Sequence, residues 1–188
     1  MKRRDFVKLS ALGSAAVLAK SCSTSSDKKQ VPILEASKKI KVVSTWISGI
    51  DANKEAIRIL SSNGSAITAV EKGLNVTESD PNNTSVGFGG MPDASGVVTL
   101  DASIMDDQYN CGSVTYLQNI EHPISVARKV MEETPHVMLS GKGAYDFAIE
   151  QGFTHKNLLT ESSLQKWQEW KKDNSFNLPH INLSLIHI

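Results

Sequence analysis

The sequence is poor in cysteine and has no excess of charge of either sign. Only Cys22 and Cys111 occur among 188 residues, which argues against a disulfide scaffold, and no histidine pattern beside them suggests a zinc site. Its 20 basic residues balance 20 acidic ones, so there is no electrostatic case for binding nucleic acid. The 40% hydrophobic content is ordinary for a soluble globular protein. The composition therefore indicates one globular domain and no more.

The first 22 residues carry the pattern of an export signal. Arg3 and Arg4 precede an uncharged run from Leu9 to Ala19 that is too short to span a bilayer. The segment beginning at the two arginines is similar to a twin-arginine signal, and an ordinary secretory signal is the alternative. Cys22 is a candidate for lipidation, although the lysine two positions before it departs from the expected small-residue pattern. We therefore expect a periplasmic or otherwise exported protein.

Composition divides the remaining chain into a linker, a folded portion and a tail. Residues 23–39 are rich in Ser, Lys and Asp, which is typical of a tether. Residues 40–182 hold the periodic hydrophobic segments of a folded domain. The last six residues, 183–188, resemble a translated sequencing adapter, and we expect them to be non-native.

Periodicity in the first part of this domain predicts one strand and two helices. The β-rich run Ile40–Trp46 is the expected first strand. Asp51 is the expected cap of a helix that runs to about Ser62, where Asn63-Gly64 follows as a stop signal. Ser65 is the expected cap of a second helix.

The stretch from Ser85 to Asp107 combines a glycine-rich corner with turn and strand residues. Gly87, Gly89 and Gly90 fall within four positions, and no Gly-Lys-Ser/Thr follows, so this is not a phosphate loop. Turn chemistry at 93–96 precedes apolar strand residues, which predicts a hairpin with a tight glycine corner.

Acidic side chains recur along this stretch without a histidine beside them. Asp93, Asp101 and Asp106 are the three candidates for a carboxylate pair or a cation site. Acids on a hairpin more often form turns and solvated edges, so we assign no metal.

The last part of the domain alternates short strands with helices. It predicts strands at Gly112–Tyr116 and His136–Leu139, and helices at Pro123–Glu133, from Ser140 or Gly141 to Gln151, and at Glu161–Lys172. Helices that bracket largely hairpin-connected strands indicate a layered α/β or α+β domain.

Four blocks of this chain together resemble the glycosylasparaginase family of N-terminal nucleophile hydrolases. They are VVSTW at Val42–Trp46, SAITAVEKG at Ser65–Gly73, the glycine stretch at 85–107 and PISVARKVMEETPHVMLSGKGA at Pro123–Ala144. The similarity runs in order from about Lys41 to Trp170. It implies an α+β fold, the four-layer αββα sandwich, of which this chain supplies the front half and a C-terminal half completes the sheets.

The resemblance also implies a reaction, the hydrolysis of the bond between N-acetylglucosamine and asparagine without a cofactor. Such enzymes cut their own chain before a threonine in a His-Asp-Thr motif, and the new α-amino group, with a pKa of about 7.7–8.0, activates its hydroxyl. That motif does not occur here. We therefore expect no catalytic residue in this chain, an inactive fragment as given, and a C-terminal half as partner within a homodimer of αβ units.

Two substrate-binding residues transfer from the family to this sequence. Trp46 matches the tryptophan that lines the pocket, and Ser85 matches a buried serine that serves as a positioning residue near the nucleophile. Ser48 stands where the family has an aromatic residue, which affects preference among glycosylated substrates.

Two other functions stay open at this point. The plant-type asparaginases and isoaspartyl peptidases share the fold and chemistry but open on His-Gly-Gly-Ala-Gly, whereas this first strand ends Ser44-Thr45-Trp46. The other alternative is a catalytically dead exported fragment or binding domain.

Overall fold

A computed structural model describes residues 40–172 of the chain. The predicted export signal, linker and tail lie outside these residues. Within them, no helix has the length and apolar character needed to cross a membrane. The elements in chain order are α1 (Gly49–Ser61), α2 (Ala66–Glu78), β1 (Leu100–Met105), β2 (Cys111–Leu117), α3 (Pro123–Glu133), β3 (Leu139–Ser140), α4 (Gly141–Glu150) and α5 (Glu161–Lys172).

The three strands form one sheet in the order β1-β2-β3. Strand β1 pairs antiparallel with β2, and the two-residue strand β3 pairs parallel with β2. The hairpin joins β1 to β2 across a turn in which the Asp106 N–H donates to the Asn110 carbonyl at 3.0 Å. The predicted strand at 112–116 is confirmed, whereas the strand predicted at His136–Leu139 is shorter and begins only at Leu139.

The hairpin predicted around residues 93–96 is wrong in its first strand. The turn itself forms, because the Gly96 N–H donates to the Asp93 carbonyl at 3.0 Å. The glycine corner before it does not extend as a strand, since Gly87 and Gly89 have φ values of +65° and +97°. Backbone in that left-handed region bends away from a pleated ladder.

The predicted first strand, Ile40–Trp46, is also wrong within the described residues. The segment is irregular and pairs with no other strand of residues 40–172. Its side chains are correspondingly open to solvent, with Val43 90% exposed. Strand propensity alone does not produce a β-strand, because the backbone also needs a neighbouring strand with which to form hydrogen bonds.

Local helix signals are mostly confirmed. The Ser65 Oγ accepts a hydrogen bond from the Thr68 N–H at 3.2 Å and caps α2 as predicted. Helix α1 begins earlier than expected, with Ser48 as its cap residue and Asp51 inside its first turn, bonded to Lys54 at 2.7 Å. Helices α3, α4 and α5 lie at their predicted positions within a residue or two.

The main core lies between the sheet and helices α3 and α4. Leu117, Val126, Val130 and Ala148 have no exposed surface, and they join the buried residues of one cluster. Residues 40–172 thus form a mixed α and β structure with one small sheet, which agrees with the predicted class. Residues 40–172 do not by themselves form two sheets, so the four-layer αββα arrangement stays a prediction for a longer protein.

Candidate functional site

A groove of about 580 Å³ lies beside helices α1 and α2. Its walls come from the irregular segment before α1, from α1 and α2 themselves, and from the start of the glycine corner. Trp46 and Ser85, the two site residues predicted from sequence, both line it although 39 positions separate them. The fold therefore brings the two predicted residues to one groove.

Trp46 lies at the turn that leads into α1. Its carbonyl accepts a hydrogen bond from the Gly49 N–H at 2.9 Å, which fixes the backbone at that point. Its indole ring is 78% exposed, and the neighbouring Ile47 is similarly open. The side chain is thus a large apolar surface at the mouth of the groove, available to a ligand.

Ser85 is held by its neighbour Asn83. The Asn83 Oδ1 accepts a hydrogen bond from the Ser85 N–H at 2.9 Å, and both residues line the groove. Ser85 is exposed, so the burial that the family resemblance implies is not present in residues 40–172. Within residues 40–172 the Ser85 hydroxyl makes no hydrogen bond to the protein and is available to a ligand.

The glycine corner is fastened to the C-terminal end of α2. A Cβ on Gly87 would lie 2.0 Å from the Glu78 carbonyl oxygen, and the Phe88 N–H donates to that oxygen at 2.7 Å. The buried Glu78 carboxylate in turn accepts from the Ile124 N–H at 3.0 Å and contacts His122 Nδ1 at 3.2 Å. These contacts fix the glycine corner, and with it Ser85, relative to α2 and α3.

Sequence reasoning missed two amide side chains of the groove. Asn53 lies on α1, where its Oδ1 accepts a hydrogen bond from the Ser44 hydroxyl at 2.5 Å. Asn83 lies in the turn before the glycine corner. Their signal in the sequence is weak because asparagine is common at turns and on helix surfaces.

The groove carries no titratable side chain among the described residues. Its lining consists of aliphatic, hydroxyl and amide side chains together with the indole of Trp46. Such a surface can bind and orient a neutral ligand, but it holds no group that could serve as a general base.

The three acidic candidates form turns and a strand contact, not a reactive pair. The Asp93 carboxylate accepts from Ser95 at 2.6 Å, and that bond lowers the pKa of Asp93. Asp106 accepts from the Asn110 side chain at 2.8 Å, which lowers the pKa of Asp106 in the same way. Within residues 40–172 no three His, Cys, Asp or Glu side chains converge on a cation position.

Comparison with known proteins places the chain in a family. The profile described as asparaginase matches residues 32–182. The chain belongs to the asparaginase family. It is 48% identical over 186 residues to an N(4)-(beta-N-acetylglucosaminyl)-L-asparaginase of Elizabethkingia miricola, an alignment that covers 96% of this chain and 53% of that protein.

Two further relatives show the range of the family. A rat enzyme of the same name is 41% identical over 146 residues, covering 77% of this chain and 42% of the rat protein. A plant-type L-asparaginase of Pyrococcus horikoshii is 42% identical over 110 residues, covering 58% of this chain and 36% of its own length. The chain spans about half the length, or less, of these curated relatives. The resemblance to the N-terminal half of the glycosylasparaginases, members of the N-terminal nucleophile hydrolases, is confirmed.

Proposed function

We propose that this chain is the leading half of an amidase that hydrolyses the bond between N-acetylglucosamine and asparagine in glycoasparagines. The observation that carries the proposal is the neutral groove that contains both Trp46 and Ser85. The names of the E. miricola and rat relatives support the substrate class. The cellular site is part of the proposal: the twin-arginine-like start favours action in the periplasm, and Cys22 is the candidate for lipid attachment.

The mechanism needs a nucleophile that the 188 residues lack, since no His-Asp-Thr occurs in them. We place it on a threonine of a C-terminal half, freed by self-cleavage so that its α-amino group accepts the hydroxyl proton. The residues of this chain would then bind and orient the substrate: Trp46 offers an apolar face, and Asn53 and Ser85 offer hydrogen bonds. Because no titratable side chain of residues 40–172 lines the groove, we assign the role of base near the reacting carbonyl to this free amine.

A second candidate is a plant-type L-asparaginase or isoaspartyl peptidase. The P. horikoshii relative favours it, because 42% identity over 110 residues is close to the identity with the rat enzyme. Two observations favour the glycoasparagine amidase. The sequence Ser44-Thr45-Trp46 stands where the plant-type enzymes have His-Gly-Gly-Ala-Gly, and the E. miricola relative covers a larger share of this chain. A catalytically dead fragment or binding domain is the third outcome that an experiment has to separate.

The test is to express the reading frame as it continues in the source genome beyond Asn182. A glycoasparagine amidase would split into two pieces on a denaturing gel and release aspartate from N4-(β-N-acetylglucosaminyl)-L-asparagine in preference to L-asparagine or a β-aspartyl dipeptide. The reverse preference assigns the plant-type activity. A frame that encodes no such threonine, or a product that stays whole and inert, contradicts both enzymatic assignments.

The role of Trp46 is tested in the same protein. Trp46→Ala should raise KM for the glycoasparagine roughly tenfold, equivalent to about 1.4 kcal/mol, because it removes the exposed ring from the groove. Tyr109→Ala is the matched control, since Tyr109 is also exposed but lies in the β1–β2 turn away from the groove lining. An unchanged KM for Trp46→Ala would remove this residue from the site.

A further inference from the structure

The pairing of β1 with β2 contains a bulge that places a tyrosine in a strained conformation. Leu100 pairs with Leu117 and Ala102 pairs with Val114, so Asp101 alone faces both Thr115 and Tyr116. Tyr116 has a φ of +52°, in the left-handed region. For a residue with a bulky side chain this conformation costs on the order of 1–2 kcal/mol, a cost that glycine would avoid.

The strained backbone is held in place by a side chain of the neighbouring strand. The Asp101 Oδ1 accepts a hydrogen bond from the Tyr116 N–H at 2.8 Å and another from the Thr115 hydroxyl at 2.6 Å. The Tyr116 ring gains little burial in return, because the residue is 52% exposed. Bulges of this kind redirect a side chain, and backbone strain concentrates where a ligand is bound.

Tyr116 points to a second cavity, of about 310 Å³, that shares no lining residue with the Trp46 groove. Tyr145 also lines this cavity, and the amide side chains of Gln118 and Asn119 belong to the polar part of its wall. Within residues 40–172 neither amide side chain makes a hydrogen bond to the protein. The cavity thus offers two aromatic rings and two amide groups whose donors and acceptors are available.

The charge of this cavity favours a neutral ligand. Lys142 is its only charged lining residue among those described, and its Nζ lies 2.5 Å from the Asp146 Oδ2 on the same helix. The one lysine of the lining is thus exposed and paired with a carboxylate, and the rest of the wall is uncharged, so the cavity lacks the cluster of cationic groups that typically holds a phosphate. The Tyr145 hydroxyl is engaged with His155 Nδ1 at 3.1 Å, which fixes the ring beside the cavity.

We propose that this cavity binds a neutral pyranose sugar, with Tyr116 as the stacking platform and Gln118 and Asn119 as partners for the sugar hydroxyls. A pyranose presents apolar C–H faces to an aromatic ring and a rim of hydroxyls to amides, which matches this wall. The volume lies at the small end of ligand sites and suits one sugar residue. The site does not depend on the proposed amidase activity, because it would bind sugar that is not linked to asparagine.

The experiment measures binding of methyl N-acetyl-β-glucosaminide and of methyl α-mannoside by ligand-observed NMR titration of the full-length protein. It is done in a Trp46→Ala background to remove a contribution from the groove. Saturable binding of either sugar is expected, with Tyr116→Ala weakening Kd at least tenfold and Tyr116→Phe changing it less than threefold. Tyr109→Ala is the matched control, since Tyr109 is another exposed tyrosine with positive φ, at +67°.

A second variant separates binding from folding. Tyr116→Gly removes the ring and relieves the left-handed strain, so it should abolish sugar binding while Tm stays at or above that of the parent protein. The proposal is overturned if neither sugar binds, if binding is indifferent to Tyr116→Ala and Tyr116→Gly, or if adenosine binds with the same dependence on Tyr116. Because the probes contain no amide to cleave, a failure here leaves the amidase proposal unaffected.

Discussion

The sheet side of residues 40–172 holds a core of fully buried aliphatic side chains, whereas large apolar side chains at the groove are exposed. Leu117 and Val130 have no exposed surface, but Val43 and Trp46 are 90% and 78% exposed. Helices α1 and α2 nevertheless pack closely through small residues, since a Cβ on Gly73 would lie 2.7 Å from the Ala52 carbonyl oxygen. We therefore expect the buried core on the sheet side to contribute more to stability than the large side chains exposed at the groove.

The largest expected effect is a difference in unfolding free energy between a core substitution on the sheet side and a substitution at the groove. Leu117→Ala should lower the free energy of unfolding by about 2–5 kcal/mol, because it leaves a cavity in a fully buried site between the sheet and α3. Val43→Ala removes apolar atoms that are already in water and should change it by less than about 0.5 kcal/mol. Urea unfolding of both variants checks this contrast, and equal losses would contradict it.

The next effect concerns the glycine corner that connects the two sides. Gly87→Ala should destabilise the protein by about 1–3 kcal/mol, because the residue has positive φ and its Cβ would collide with the Glu78 backbone. The matched control is Gly143→Ala in α4, where a Cβ meets nothing within 4 Å and helix propensity favours alanine. Thermal unfolding should therefore move in opposite directions for the two substitutions. A Tm for Gly87→Ala that equals or exceeds that of the parent protein would mean that the corner is not specially constrained.

A smaller effect compares two serines at the starts of neighbouring helices. Ser65→Ala removes a side-chain cap of α2 and should cost about 1 kcal/mol. Ser48→Ala at the start of α1 should cost almost nothing, because Ser48 makes no side-chain capping bond. Chemical denaturation resolves a difference of this size; equal costs would show that the capping contact of Ser65 does not matter.

These comparisons also explain which features the sequence could predict. Ser65 and Pro123 are local signals, and the helices that they begin lie where expected. Ile40–Trp46 was mispredicted because a strand exists only when another backbone pairs with it. Of the groove, only Trp46 and Ser85 could be predicted, and that prediction came from the family resemblance. The sequence does not predict the positive φ of Tyr116, because this φ arises from a register shift between two strands.

The smallest expected effect is the pH dependence of the unfolding free energy that comes from Asp101, the residue that holds this register shift. Hydrogen bonds from the Thr115 hydroxyl and the Tyr116 N–H lower the pKa of Asp101 below its ordinary value. The folded state therefore favours the ionised carboxylate, and this contribution is present above the unfolded-state pKa of about 3.9 and is lost as the pH falls through the lower folded-state pKa. Because Asp101 is exposed, we expect the contribution to stay below about 1 kcal/mol.

Asp101→Asn provides the control for this titration. The substitution keeps an Oδ1 acceptor for Thr115 and Tyr116 but cannot ionise, so the difference in unfolding free energy between parent and variant should shrink between pH 7 and pH 3. Asp93 and Asp106, whose pKa values are also lowered, titrate in the same range in both proteins and cancel from that difference. A difference that stays constant across this range would mean that hydrogen-bond geometry alone, without the negative charge, holds Tyr116 in its left-handed conformation.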